Sequence, residues 1–208
     1  MGGTKFKKMI TLIIVNCQND FITGTVLVRG ARTIVDEIKK FIKSRKDEIE
    51  KIVFALNWHP YNHSSFKKYG GQLPHHCIQY TPGACIEPKL LKFVQSLEIN
   101  YDVSLIGELE EADQDGAFED IEYVADNFGE RYYLNIVEVN ANSDFVICGI
   151  AGDIHVKATI QSLIDNGITP KVFCQGIVST DGGKIINEFI NENKLENVTI
   201  KEKESSKK

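Results

Sequence analysis

An α/β fold built on a parallel sheet is what this sequence predicts, and two observations carry the prediction. Apolar runs recur at residues 9–15, 52–56, 103–106, 145–150, 172–174 and 198–200, with helical periodicity between most of them. The first run, Thr11-Leu12-Ile13-Ile14-Val15, is continuous rather than alternating. A strand of that kind is covered on both faces, so it belongs at the centre of the sheet.

The elements then follow in order. Helices are expected at about 30–48 and 87–97, flanking the strands at 52–56 and 103–106. Two long loops, 60–84 and the acidic 108–120, interrupt the alternation. Residues 130–141 read as a third helix. The best defined helix is 153–166, where Val156, Ile160, Leu163 and Ile164 form a stripe and Gly167 stands at a left-handed C-terminal cap. Its turn, Ala151-Gly152-Asp153, follows the run 145–150 and lies at the carboxyl end of a parallel strand, where open α/β sheets bind ligands. A last helix is expected at 183–194, and the polar tail 201–208 is expected to be disordered.

With 208 residues, the chain 1–208 reads as a single domain. The 42% hydrophobic and 25% charged fractions exclude disordered, collagen-like and coiled-coil classes. No apolar run reaches membrane-spanning length, and a cytoplasmic location is expected. A net charge of -5 gives no footprint for nucleic acid or an anionic membrane, leaving small molecules or proteins as partners. The five cysteines, Cys17, Cys77, Cys85, Cys148 and Cys174, are odd in number and lack CxxC spacing, which argues against a disulfide scaffold or zinc ribbon.

Four motifs occur in order along the chain: Asn16-Cys17-Gln18-Asn19-Asp20-Phe21; Asn57-Trp58-His59-Pro60 with His63; Pro74-His75-His76-Cys77-Ile78-Gln79 followed by Thr81-Pro82-Gly83-Ala84; and Gly149-Ile150-Ala151-Gly152-Asp153-Ile154-His155. Together they resemble the nicotinamidase branch of the isochorismatase-like cysteine hydrolases. That resemblance implies a three-layer fold with a six-stranded parallel sheet flanked by helices, often assembled as homo-oligomers. It also implies hydrolysis of a C–N bond in a small amide by an Asp, a Lys and a Cys. The Cys attacks from a helix start to form an acyl-enzyme, and backbone N–H groups of that turn, which follows a cis peptide, hold the oxyanion.

Carried over position by position, the catalytic set reads differently here. The Asp position is Asn16 and the Cys position is His155. The Lys position falls at Gly107 or Glu108, and no lysine occurs between Lys92 and Lys157. Loss of a general base costs about 10²- to 10⁴-fold and loss of a covalent nucleophile about 10⁶-fold. The expectation is therefore a catalytically degenerate relative with a ligand-binding or regulatory role, with a homologous active subunit among its candidate partners. The alternatives are a hydrolase of altered, metal-dependent mechanism and a genuine amidohydrolase.

The resemblance also implies a divalent metal, zinc among the candidates, held by Asn57, His59 and His76. Asn57 stands where the family has an Asp, which weakens the site for a hard dication. His155, kept neutral at a helix start, is a further candidate ligand that would complete a three-imidazole set. Phe21, Trp58, Leu73, Ile150 and Ala151 are expected to line the pocket. Asp20 is expected to anchor a turn and His63 to cap its loop. Glu108, Glu110, Glu111, Asp113 and Asp115 are expected either to be a solvated loop or to form an acidic mouth.

Overall fold

The computed structural model describes residues 8–111, 115–118 and 120–201. Strand β1 (Ile10–Val15) leads through a one-turn helix α1 (Asn19–Ile22) to α2 (Ala31–Ser44) and then to β2 (Ile49–Asn57). The long loop follows, then α3 (Pro88–Ser96), β3 (Tyr101–Ile106) and three strands β4 (Ile121–Asp126), β5 (Gly129–Leu134) and β6 (Val137–Asn140). The chain closes with β7 (Asp144–Ile150), a π-helical turn (Gly152–Val156), α4 (Lys157–Asp165), β8 (Lys171–Val178) and α5 (Lys184–Glu192).

The main sheet is parallel, in the order β3-β2-β1-β7-β8. Its central strand is fully layered, as the continuous apolar run requires. Leu12 and Ile14 join one buried cluster with Phe41 and Ile38 of α2 and Leu90 of α3, while Ile13 and Val15 join a second with Ile160 and Leu163 of α4 and Phe189 of α5. At the expected cap Gly167 has φ +77°, and Ile168 N–H closes the helix end on Leu163 O. No helix among the described residues is long and apolar enough to cross a membrane.

Two expectations are corrected. Among the described residues the main sheet has five strands, not six. The run 198–200 touches β8 only through an isolated bridge of Asn197 with Val172, because the chain is then drawn away to the end of α2. There Arg45 donates twice to Thr199 O, and Lys201 N–H donates to Ser44 Oγ. Lys201 is thus docked, and the rest of the expected tail, 202–208, lies outside the described residues. The second correction is at 130–141, which is a β-hairpin completing a separate antiparallel sheet in the order β4-β5-β6. Leu134, Val137 and Val139 bury one face against Phe145, and Asn135 supplies the positive φ (+55°) of the turn. The period-two face of a Tyr- and Val-rich segment outweighs the helical reading.

Candidate functional site

The central strands β2, β1 and β7 lie side by side, so the segments that leave their carboxyl ends converge. The chain leaves β1 to one side for β2 and reaches β7 on the other, which makes this the switch point of the sheet. Asn16 follows β1, Asn57 ends β2 and His155 lies on the turn after β7, and all three are buried. Asn16 adopts φ +49°, and its Oδ1 accepts from Asn57 N–H at 3.1 Å. Asn57 Nδ2 lies 3.4 Å from His155 Nε2. Ile150–Ala151 is a cis peptide, as the resemblance implied, and it opens the turn that carries His155.

Gln18 ties this together and was not singled out from sequence. Its Oε1 accepts from Asn57 N–H at 2.9 Å, while its Nε2 donates to Asn57 O at 2.7 Å and to Ala84 O at 2.8 Å. A fully buried glutamine directly after a buried strand was the available signal, since such an amide must find partners.

The long loop brings three more imidazoles to the same place. His59 is stacked on His63 at 4.1 Å between centroids, and His76 stands 5.1 Å from His59. His59 Nδ1 donates to Gly107 O and His76 Nδ1 donates to Pro74 O, both at 3.0 Å, so each ring turns an Nε2 lone pair away from its carbonyl partner. Burial pushes His59 down to about 3 and lowers His76 as well, so both are neutral at ordinary pH. His155 is likewise pushed down to about 4 by burial, with His76 adding to the effect. His63 caps its loop by accepting from Ser65 N–H at Nδ1.

Among known proteins, the yeast (Saccharomyces cerevisiae) nicotinamidase is 25% identical over 222 aligned residues, covering 94% of this chain and 100% of its own. The chain is a homologue of the nicotinamidases. No protein-family model matches it. The nicotinamidase homologue shares the isochorismatase-like fold with an L. infantum protein solved in complex with nicotinate (TM-score 0.71, 22% identity, 96% of each chain). It also shares it with the Pyrococcus horikoshii pyrazinamidase in complex with zinc (TM-score 0.69, 22% identity, 91% of this chain and 98% of that one).

In this nicotinamidase homologue, the expected site residues are only partly gathered. Phe21 presents its edge to both His76 and His155 at 5.8 Å, and Ile150 and Ala151 are buried beside them. Trp58 is half-buried and meets Tyr80 edge-on at 5.4 Å. Leu73 is 43% exposed, because its backbone is drawn out to pair with Ser65 and Lys67, so it does not wall the pocket. Glu108 is exposed and reaches the site through its carbonyl, which accepts from Gln79 Nε2. Gly107 is the residue that borders the imidazoles. Its φ is +65°, and a Cβ there would lie 2.6 Å from His59 Cε1. Glu110, Glu111 and Asp115 are exposed, and Asp113 lies outside the described residues.

Both neighbouring thiols are buried and held in the protonated form. Cys17 is fully buried and pushed up to about 12 by that burial, with Glu87 adding to the shift. Burial and Asp20 push Cys77 well above the ordinary thiol range. Asp20 itself is used structurally, accepting from Cys77 N–H at Oδ2 and from Thr25 N–H at Oδ1. The three-imidazole set of His59, His76 and His155 does not form, since no three His, Cys, Asp or Glu side chains among the described residues are placed to hold one metal ion. His155 is turned to the Asn57 amide instead. His59 and His76 keep neutral rings with Nδ1 tied to backbone carbonyls, and Asn57 Oδ1 is buried without a partner. That donor set fits a divalent cation, with an amide oxygen where a carboxylate would bind a hard ion more tightly.

Proposed function

We propose that this chain is a catalytically degenerate nicotinamidase relative that binds a small amide ligand of the nicotinamide class without hydrolysing it. The observation that carries the reading is His155, a buried neutral imidazole on the turn after the cis peptide, where the resemblance puts a nucleophilic thiolate. Asn16 has no basic form to act as general base. Cys17, just after β1, and Cys77, in the long loop, are held protonated by burial. The turn's Asp153 is also spent, bound to the backbone and hydroxyl of Thr180. Calorimetric binding of nicotinamide together with an ammonia assay tests the reading. Saturable binding without ammonia supports it; ammonia release at ordinary enzyme rates refutes it.

A second reading, a metal-dependent hydrolase, is favoured by one observation: His59 and His76 have Nδ1 tied to carbonyls, leaving Nε2 as the coordinating nitrogen, and Asn57 Oδ1 is buried without a partner. Asn57, His59 and His76 would hold the ion, which when bound supplies Lewis acidity and a more acidic water. Zinc that survives dialysis of the wild type and is lost in His76→Ala supports this reading; a protein that takes up no zinc removes it.

A further inference from the structure

A cavity of 280 Å³ lies between the approach to α2, the end of β8 and the first turns of α5, and it shares no lining residue with the imidazole site. Ile177, Val178, Ile186 and Ile190 give it an aliphatic wall without an aromatic ring. Ile177 and Val178 are only half-buried, so apolar surface is left for a ligand to cover. Arg29 is the one ionised side chain of the lining, because burial raises the Cys174 thiol and keeps it neutral. Arg29 is exposed and has no ion-pair or hydrogen-bond partner among the described residues. No carboxylate lines the cavity. Asp181, beside it in sequence, is turned to the start of α5, where it accepts from Gly183 N–H and Ile185 N–H.

We propose that this cavity is a second ligand site, which takes a small carboxylate with an aliphatic body. The branched wall covers the body, and the free guanidinium at the mouth forks onto the two carboxylate oxygens. A single cation balances a monoanion but leaves a dianion such as a phosphate monoester half-compensated. The 280 Å³ volume falls just below the usual range for small-molecule pockets, about 300–1,000 Å³, so the body is the size of a short alkyl chain. Occupancy also reaches the imidazole site. A Cβ at Gly152 would lie 2.6 Å from Ile177 Cγ2 and 3.3 Å from Ile186 Cγ2, so two residues of the cavity wall pack directly on the turn that carries His155.

The test is a titration of isotope-labelled protein with hexanoate at pH 7.5, followed by backbone amide NMR shifts, with 1-hexanol as the neutral control. The expected result is saturable shifts at Ile177, Val178, Gly182 and Asn187 that extend to Gly152. Hexanoate should bind at least ~5-fold tighter than 1-hexanol, an advantage lost in Arg29→Gln and kept in Arg29→Lys. Should Arg29→Gln not fold, the comparison of the two probes on the wild type decides alone. Equal binding of the two probes overturns the selectivity for an anion, and a full preference in folded Arg29→Gln overturns the assignment to Arg29. Absence of saturable shifts, or shifts confined to Phe21, His76 and His155, overturns the site itself.

Discussion

His155 Nε2 lies 3.4 Å from the side-chain nitrogen of Asn57, so the turn after β7 is joined to the end of β2 by a neutral contact between an imidazole and an amide. Both residues are buried, and Asn16 Oδ1 beside them accepts from Asn57 N–H.

Acidification should destabilise the protein through its buried imidazoles. His59 and His155 are pushed down to about 3 and about 4, whereas an unfolded chain's histidines titrate near 6.5. Below about pH 6.5 the unfolded state therefore binds protons that the folded state does not, and stability falls until the folded values are reached. It is fully present above about pH 6.5. Urea midpoints measured from pH 7.5 to pH 4.5 should fall steadily, and less steeply in His155→Gln. A midpoint independent of pH in this range would mean that these rings are not buried neutral.

Gly107 should tolerate no side chain. With φ +65° and a Cβ placed 2.6 Å from His59, Gly107→Ala is expected to lose about 1–3 kcal/mol. Gly107→Lys, the simplest attempt to restore a lysine here, should be destabilised at least as much and gain no activity. Denaturant unfolding of both variants checks this, and an unchanged midpoint would contradict the packing described.

Gln18→Ala should be among the more damaging single changes outside the apolar core. It strips the Gln18 partner from Asn57 O and Ala84 O and leaves Asn57 N–H with Asn16 Oδ1 alone, for about 2–4 kcal/mol at about 1–3 kcal/mol per buried group left unmade. Thermal unfolding measures the loss, and a drop within the range of an ordinary surface substitution would count against the clamp.

Thiol reactivity should follow burial. Cys85 is exposed, whereas Cys17, Cys77 and Cys148 are buried and held protonated. Brief iodoacetamide treatment of the native protein, mapped by peptide mass, should label Cys85 and spare those three. Rapid labelling of Cys17 or Cys77 would reveal an activated thiol at the site.

Much of this was legible in the sequence because the signals were local. The continuous run at β1 and the stripe and glycine cap of α4 each predicted what the structure contains, and the four ordered motifs pointed to the nicotinamidase-like fold. What escaped depended on partners distant in the chain. The 198–200 run has strand composition, yet Arg45 and Ser44 draw its end to α2. The 130–141 segment has a few residues at helical spacing, yet its inward side chains alternate. At the site, identity alone named Asn16, His59, His76 and His155. The turning of His155 toward Asn57, the outward path of Leu73 and the clamp made by Gln18 are products of tertiary geometry that spacing does not encode.

The central claim is that the site binds without turning over, and ammonia release from nicotinamide at high protein concentration, with and without added zinc, tests it most directly. The account predicts no release above the protein-free control in either condition. Turnover at about 1 s⁻¹ or faster, within the ordinary range of enzymes, would contradict it.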